Sequence, residues 1–121
     1  MILIGSTAIR QHFKDFHREP KDLDYAVTTE EKKALPNTRI EGSVTEYLVN
    51  DIIGSLSGVA SPDLLYTLKM SHLVGWDLNW EKHNFDLQFL VKKGCVLDKE
   101  LFYKLYEYWN KTKTKNSRSN L

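Results

Sequence analysis

The chain has 121 residues, which suits one domain with a single hydrophobic core and is too short for two. Its 17 basic and 16 acidic residues give a formal net charge of +1, so no overall charge draws it to nucleic acid or membranes. A single cysteine, Cys95, excludes an internal disulfide. The apolar run at residues 1–4 is too short for a signal peptide or a membrane span. We therefore expect a soluble, cytoplasmic protein that does not act at membranes.

Short strands and helices alternate in the first part of the chain. The apolar run Ile2–Ile4 ends at Gly5-Ser6, and Thr7–Phe16 has apolar residues at helical spacing. The alternation over 22–27 predicts a strand, and a short helical turn follows at 28–31 and ends before Pro36. Residues 38–43 predict a second short strand.

The second part of the chain has the pattern of helices. We expect a helix from Thr45 to Ile53, a loop over 54–60, and a helix that begins at Ser61-Pro62-Asp63 and is closed by Gly75. Two more helices are predicted over 80–91 and 98–112. Strands that precede helices indicate an α+β fold: a short mixed sheet with flanking helices and a helical C-terminal half. The predicted domain is 1–112, with a strand-rich core over about 1–60 and a helical part over about 61–112.

The end of the chain is basic. Residues 111–121 contain four basic side chains and no acidic one. We expect 113–121 to be a flexible, solvated tail, or an arm that contacts the phosphates of a nucleic acid.

A paired carboxylate motif offers the clearest functional signal. Asp22 and Asp24 are two residues apart on a predicted strand, so their side chains share one face. Magnesium is bound by a few carboxylates together with water and phosphate oxygens. The Gly5-Ser6 turn opens a predicted helix, whose free backbone N–H groups and dipole favour phosphate. Two acids beside such a turn suit a magnesium ion that carries a triphosphate; the alternative is a turn followed by two exposed acids on an edge strand.

The order of these motifs resembles the nucleotidyltransferase fold of the DNA polymerase beta superfamily, especially its small stand-alone members. The resemblance covers Ile2 to Ser43 by motif and continues weakly to Asp86 by pattern. It implies that Gly5 and Ser6 hold the nucleotide's phosphates and that Asp22 and Asp24 bind magnesium.

The resemblance also implies a third acid on the following strand. Glu41 is preferred as metal ligand or base, because it lies in the strand-like segment 39–43. Glu46 and Asp86 are alternatives, although both fall in segments that predict helices.

Four basic side chains in the helical half form a further candidate group. Lys69 and His72 are three residues apart and share a helical face, and Lys82 and His83 lie on the next predicted helix. Some nucleotidyltransferases of bacterial toxin–antitoxin systems are similar here, which implies that Lys69 contacts the triphosphate and that Lys82 or His83 assists. His72, on the same face as Lys69, is a further candidate for nucleotide binding. Histidines on partly apolar faces are also common as structural residues.

The expected activity is magnesium-dependent transfer of a nucleoside monophosphate from a nucleoside triphosphate such as ATP to an acceptor, with release of pyrophosphate. The acceptor is a protein hydroxyl, an RNA end or a small molecule. The alternatives are a catalytically inactive binding module or antitoxin-like partner with this fold, and an accessory protein that binds nucleic acid through its tail.

Overall fold

The computed structural model of the protein describes residues 1–17, 19–20, 22–34, 44–76 and 80–119. The chain divides into two compact units, Met1–Leu65 and Tyr66–Leu121. The division lies close to the predicted change from a strand-rich to a helical part.

The first unit contains a four-stranded mixed sheet. The strands are β1 (Ile2–Ile4), β2 (Leu23–Ala26), β3 (Val44–Tyr47) and β4 (Gly58–Val59), in the order β3-β2-β1-β4. Strand β1 pairs antiparallel with β2 and parallel with β4, and β2 pairs parallel with β3. All three residues of β1 are buried, as expected for an interior strand. The predicted α+β fold with a short mixed sheet is confirmed.

Three short helices accompany the sheet. They are α1 (Gly5–His12), α2 (Thr29–Ala34) and α3 (Asn50–Ile53). Helix α2 begins in a capping box: the Thr28 hydroxyl accepts from the Glu31 amide at 3.0 Å, and the Glu31 carboxylate accepts from the Thr28 amide at 2.8 Å. Helix α1 begins two residues earlier and ends four residues earlier than the pattern of Thr7–Phe16 predicts.

The predicted helix from Thr45 is wrong over its first part. Residues 44–47 form β3, because this segment pairs with β2 and the Val27 amide donates to the Tyr47 carbonyl at 2.8 Å. Only Asn50–Ile53 is helical, and the predicted loop over 54–60 contributes β4. The strand predicted over 38–43 lies outside the described residues.

The second half of the chain is helical, as predicted. Helix α4 (Pro62–Trp76) begins in the first unit and ends in the second, which also contains α5 (Trp80–Lys92) and α6 (Lys99–Ser119). The Ser61 hydroxyl accepts from the Leu64 amide at 3.2 Å, and the Asp98 carboxylate accepts from the Leu101 amide at 3.2 Å. Helix α6 continues to Ser119, where a flexible tail from residue 113 was expected.

Each unit has its own buried apolar side chains. In the first unit these are Ile2, Leu3, Ile4, Ala8, Ile9, Phe16, Ala26, Val27, Val49, Ala60, Leu64 and Leu65. In the second unit they include Leu68, Leu87, Leu90, Leu105 and Trp109. Among the described residues, no helix has the length and apolarity needed to cross a membrane.

Candidate functional site

The first unit brings the Gly-Ser turn against one of the paired acids. Gly5 is the first residue of α1, and the β1–β2 register pairs the preceding Ile4 with Asp24. A Cβ atom on Gly5 would lie 2.5 Å from Asp24 Oδ2, and the Gly5 backbone has φ +72°. Both the contact and the left-handed conformation therefore require glycine at this position. The start of α1 and the Asp24 carboxylate form one site.

Asp22 is fixed to the same helix through its backbone. The Thr7 hydroxyl, in the first turn of α1, donates to the Asp22 carbonyl at 2.7 Å. Within the described part of the chain, neither the Asp22 carboxylate nor the Ser6 hydroxyl has a hydrogen-bond partner, and Asp22 is exposed. The backbone of Asp22 is thus held while its carboxylate stays available to a ligand.

Strand β2 is an interior strand, so the edge-strand alternative for the Asp pair does not apply. Its neighbour β3 places Tyr47 opposite Ala26, on the same sheet face as Asp24. The pKa of the Tyr47 phenol is raised from its ordinary 10.0, first by burial and then by the negative charges of Asp24 and Asp22. The phenol is therefore neutral at physiological pH and lies within electrostatic reach of both carboxylates.

Glu46 lies on the opposite face of the sheet. It pairs in register with Tyr25, one residue on from Asp24, and its carboxylate lies 3.5 Å from Lys32 Nζ. The structure therefore does not bring Glu46 to the Asp pair. The preferred third acid, Glu41, lies outside the described residues.

The chemistry of the donors fits magnesium. Two carboxylates are enough for this ion when water and phosphate oxygens complete its coordination. Asp22 and Asp24 meet that requirement beside a helix start suited to phosphate. No group of three or more His, Cys, Asp or Glu side chains suited to a metal ion occurs among the described residues.

A cavity opens beside Asp22. It has a volume of about 240 Å³ and is lined by Thr7, Arg10, Gln11, Pro20, Asp22 and Leu23. Three of these residues come from α1, two from the segment that leads into β2, and Leu23 is the first residue of that strand. The cavity thus adjoins one of the two candidate metal ligands.

A second cluster of predicted residues lies within the second unit. Lys69 Nζ is 2.7 Å from Asp86 Oδ2 and 3.2 Å from His83 Nδ1. Asp86 is completely buried and the Lys69 side chain is 11% exposed. Since a lysine ammonium can only donate, His83 Nδ1 accepts and the remaining ring nitrogen of the neutral imidazole carries its proton. In the structure, the Asp86 carboxylate thus pairs with the Lys69 ammonium, whereas the sequence pattern makes Asp86 a candidate metal ligand.

His72 completes this cluster. Its ring centroid lies 5.5 Å from that of His83 and 4.8 Å from that of Trp109. Burial, and after it the nearby Lys69 charge, lowers the pKa of each histidine from 6.5 to about 4. The Trp109 indole donates to the Ser71 hydroxyl at 3.1 Å, which holds α6 against α4. Both imidazoles are therefore neutral at physiological pH.

The predicted site residues thus fall into two groups, one in each unit. Gly5 meets Asp24, and Lys69 meets His83 and Asp86. Lys82 is exposed. Sequence reasoning missed Tyr47, since its segment resembled a helix, although a β-branched and aromatic pattern over 44–47 is the signal that identifies the strand.

Comparison with known proteins places part of the chain in a family. No curated protein matches the chain, and no solved structure does. A family of proteins described as "Domain of unknown function (DUF7277)" matches residues 1–61, which hold the whole sheet, the Gly5-Ser6 turn and both paired acids. Because this match spans half of the chain, the protein belongs to the DUF7277 family.

Proposed function

We propose that the first unit binds a magnesium-bound nucleoside triphosphate and transfers its nucleoside monophosphate to a hydroxyl acceptor. The observation that carries the proposal is the approach of Gly5 to the Asp24 carboxylate, where a Cβ would lie 2.5 Å from Oδ2. This contact unites a helix N-terminus suited to phosphate with a carboxylate pair suited to magnesium. The resemblance to nucleotidyltransferases, drawn from the same residues, supports the same reaction. The predicted cytoplasmic location belongs to this proposal, since nucleoside triphosphates are available there.

The residues of the chain have separate parts in this reaction. The backbone N–H groups at Gly5 and Ser6, with the Ser6 hydroxyl, bind and orient the phosphates. Asp22 and Asp24 hold magnesium, which neutralises charge on the phosphates when it is bound. The acceptor oxygen bonds to the α-phosphorus as the bond to the bridging oxygen breaks, and pyrophosphate leaves with that electron pair. The acceptor's proton passes to a carboxylate, for which Glu41 remains the predicted residue.

The basic cluster of the second unit has a less direct part in the proposal. Lys69 already donates to Asp86 and His83, so contact with a phosphate requires its ammonium to exchange or share these partners. Nucleotide contacts by Lys69, His72, Lys82 and His83 stay predictions.

A binding module without turnover is the second candidate. The side chains of β3 favour it. Tyr47 lies on the same sheet face as Asp24 and Glu46 lies on the opposite face, so the described part of this strand supplies no third acid to Asp22 and Asp24. Such a protein would bind the magnesium–nucleotide complex and release it unchanged.

Calorimetry with magnesium and a non-hydrolysable nucleoside triphosphate tests the binding common to both candidates. Asp22→Asn and Asp24→Asn should each abolish magnesium-dependent binding in a folded protein. Glu30→Gln is the matched control, because Glu30 is exposed and, among the described residues, pairs with Lys33 on its own helix at 3.6 Å. Wild-type affinity in either Asp variant would contradict the site.

Labelled nucleoside triphosphates then separate the two candidates. Incubation with cell extract should give a labelled acceptor and pyrophosphate if the chain is a transferase. Tight magnesium-dependent binding without any labelled product supports the binding module instead.

A further inference from the structure

The cavity beside Asp22 contains an arginine that already holds a carboxylate. Arg10 Nη2 lies 3.1 Å from Glu19 Oε1, and Arg10 Nη1 donates to the Phe16 carbonyl at 3.1 Å. The carbonyl contact fixes the guanidinium, whereas Glu19 is 83% exposed. An ion pair with so exposed a partner contributes little to stability, so another anion can displace Glu19 at small cost.

Apart from Arg10 and Asp22, the cavity is lined by neutral polar and apolar side chains. The Gln11 side chain is exposed and has no hydrogen-bond partner within the described part of the chain. Pro20 and Leu23 contribute apolar surface, and Asp22 is both a lining residue of the cavity and a candidate metal ligand. The volume of about 240 Å³ is below the roughly 300–1,000 Å³ of pockets that hold drug-sized ligands. The cavity therefore suits a small molecule with one anionic group.

We infer that this cavity binds the acceptor of the transfer reaction, and that the acceptor is a small hydroxyl compound with one phosphate or carboxylate group. The inference rests on the proposed function, which leaves the acceptor open. Arg10 binds the anionic group in place of Glu19, Gln11 hydrogen-bonds to the body of the molecule, and the hydroxyl points to Asp22. The Glu19 carboxylate occupies Arg10 until the acceptor arrives.

Glycerol 3-phosphate is a suitable probe, because it carries a phosphate and hydroxyls in a small molecule. Its binding is followed by NMR through the side-chain signals of Arg10 and Gln11, without magnesium or nucleotide. Inorganic phosphate and glycerol, titrated separately, separate the contribution of the anion from that of the hydroxyls. We expect glycerol 3-phosphate to bind more tightly than phosphate, and glycerol not to bind.

Two substitutions should move this affinity in opposite directions. Arg10→Gln should weaken binding at least about ten-fold, since it removes a charge-assisted contact. Glu19→Gln should strengthen binding by up to about five-fold, because it removes the competing carboxylate of an exposed pair. Lys14→Gln, an equal loss of charge at an exposed position outside the cavity, should change nothing. Thermal melts verify folding, and the Glu19 variant keeps the test decisive if the Arg10 variant is unstable.

Several results would overturn the inference. The first two are an unchanged affinity for glycerol 3-phosphate in folded Arg10→Gln and a weaker affinity in Glu19→Gln. The third is that phosphate shifts the NMR signals of Gly5 and Ser6 instead of those of Arg10. The fourth is that an RNA oligonucleotide binds at Arg10 more tightly than glycerol 3-phosphate does. The proposed function fails separately, through loss of magnesium-dependent nucleotide binding while the Arg10 response persists. Nucleotide affinity should stay within about two-fold of wild type in Arg10→Gln; a larger loss assigns Arg10 to the nucleotide and overturns the acceptor site.

Discussion

Lys69 Nζ and Asp86 Oδ2 lie 2.7 Å apart between helices α4 and α5, and the Asp86 side chain is completely buried. Burial of both charges costs solvation free energy that their attraction only partly offsets. Removal of one partner leaves the other charged, buried and uncompensated. The pair therefore makes each residue necessary to the folded second unit, whatever else Lys69 binds.

Asp86→Asn should lower the free energy of unfolding by about 3–5 kcal/mol, because Lys69 loses its counter-ion in a buried site. The measurement is denaturant unfolding. Glu81→Gln is the control on the same helix: Glu81 is exposed in the first turn of α5, and its loss should cost at most about 1 kcal/mol.

A double variant separates the ion pair from general damage. Lys69→Met with Asp86→Leu should cost much less than the sum of the two single substitutions, since it leaves neither charge buried alone. Additive costs would show that the two side chains act independently. Because of this pair, Lys69→Ala should also destabilise the fold. A residue that contacts only the nucleotide would instead lose nucleotide affinity and keep its stability.

The neutral histidines predict a pH dependence of stability. The pKa of His72 and of His83 is about 4 in the folded chain and 6.5 when unperturbed, so between these values the unfolded chain binds more protons. Stability should be complete above pH 6.5 and fall as the pH drops toward 4. Unfolding midpoints measured across this range test the prediction. His72→Gln with His83→Gln should flatten the profile, and an unchanged profile in the double variant would contradict this account.

In the first unit, the sequence predicts those strands and helices that depend on interactions between neighbouring residues. The apolar run of β1, the alternation around Asp24 and the Ser61-Pro62 helix start all depend on neighbours in sequence. Strand β3 was missed because Thr45–Tyr47 becomes a strand only through pairing with β2, which lies some twenty residues earlier. The interior position of β2 is likewise a property of the sheet, which the sequence of one strand does not contain.

Helical spacing predicted part of the second cluster. It placed Lys69 and His72 on one face of α4, and it placed His83 and Asp86 within the next predicted helix. It did not predict that these faces meet, since the spacing within one helix carries no information about its neighbour. The sequence therefore allows a metal role for Asp86, whereas the structure pairs its buried carboxylate with Lys69 at 2.7 Å.

Gly5→Ala should abolish magnesium-dependent nucleotide binding and destabilise the chain. The new Cβ would lie 2.5 Å from Asp24 Oδ2, and alanine is strained at φ +72° by about 1–2 kcal/mol. Gly94→Ala is the matched control, because Gly94 has φ +82° and nothing lies within 4 Å of its Cβ position. The difference between the two variants in thermal melts and calorimetry measures the contact with Asp24. If Gly5→Ala and Gly94→Ala had equal effects on stability and on nucleotide binding, the approach of Gly5 to Asp24 would not be needed for the site.

Glu46→Gln should leave magnesium-dependent binding unchanged, because Glu46 lies on the sheet face opposite Asp24. Its contact with Lys32 at 3.5 Å should make the variant less stable by no more than about 1 kcal/mol. Lys32→Gln should have a similar effect on stability. Calorimetry and denaturant unfolding give the two readouts. By contrast, Glu41→Gln should impair transfer. If the Glu41 variant were active and the Glu46 variant inactive, Glu46 would be the third acid.

Tyr47 offers a test of the Asp pair that needs no activity. Its pKa is raised first by burial and then by Asp24 and Asp22, since negative charge opposes formation of the phenolate. Asp24→Asn should therefore lower this pKa, and magnesium bound at the two carboxylates should lower it in the wild type. Burial persists in both cases, so the part of the pKa increase that burial causes should remain. The phenolate absorbance that is lost in Tyr47→Phe reports this group alone.

Tyr108, whose pKa is raised by burial only, is the control, and its titration should not respond to either change. A Tyr47 titration that is indifferent to magnesium, in a protein that still binds the nucleotide, would place the metal away from Asp22 and Asp24.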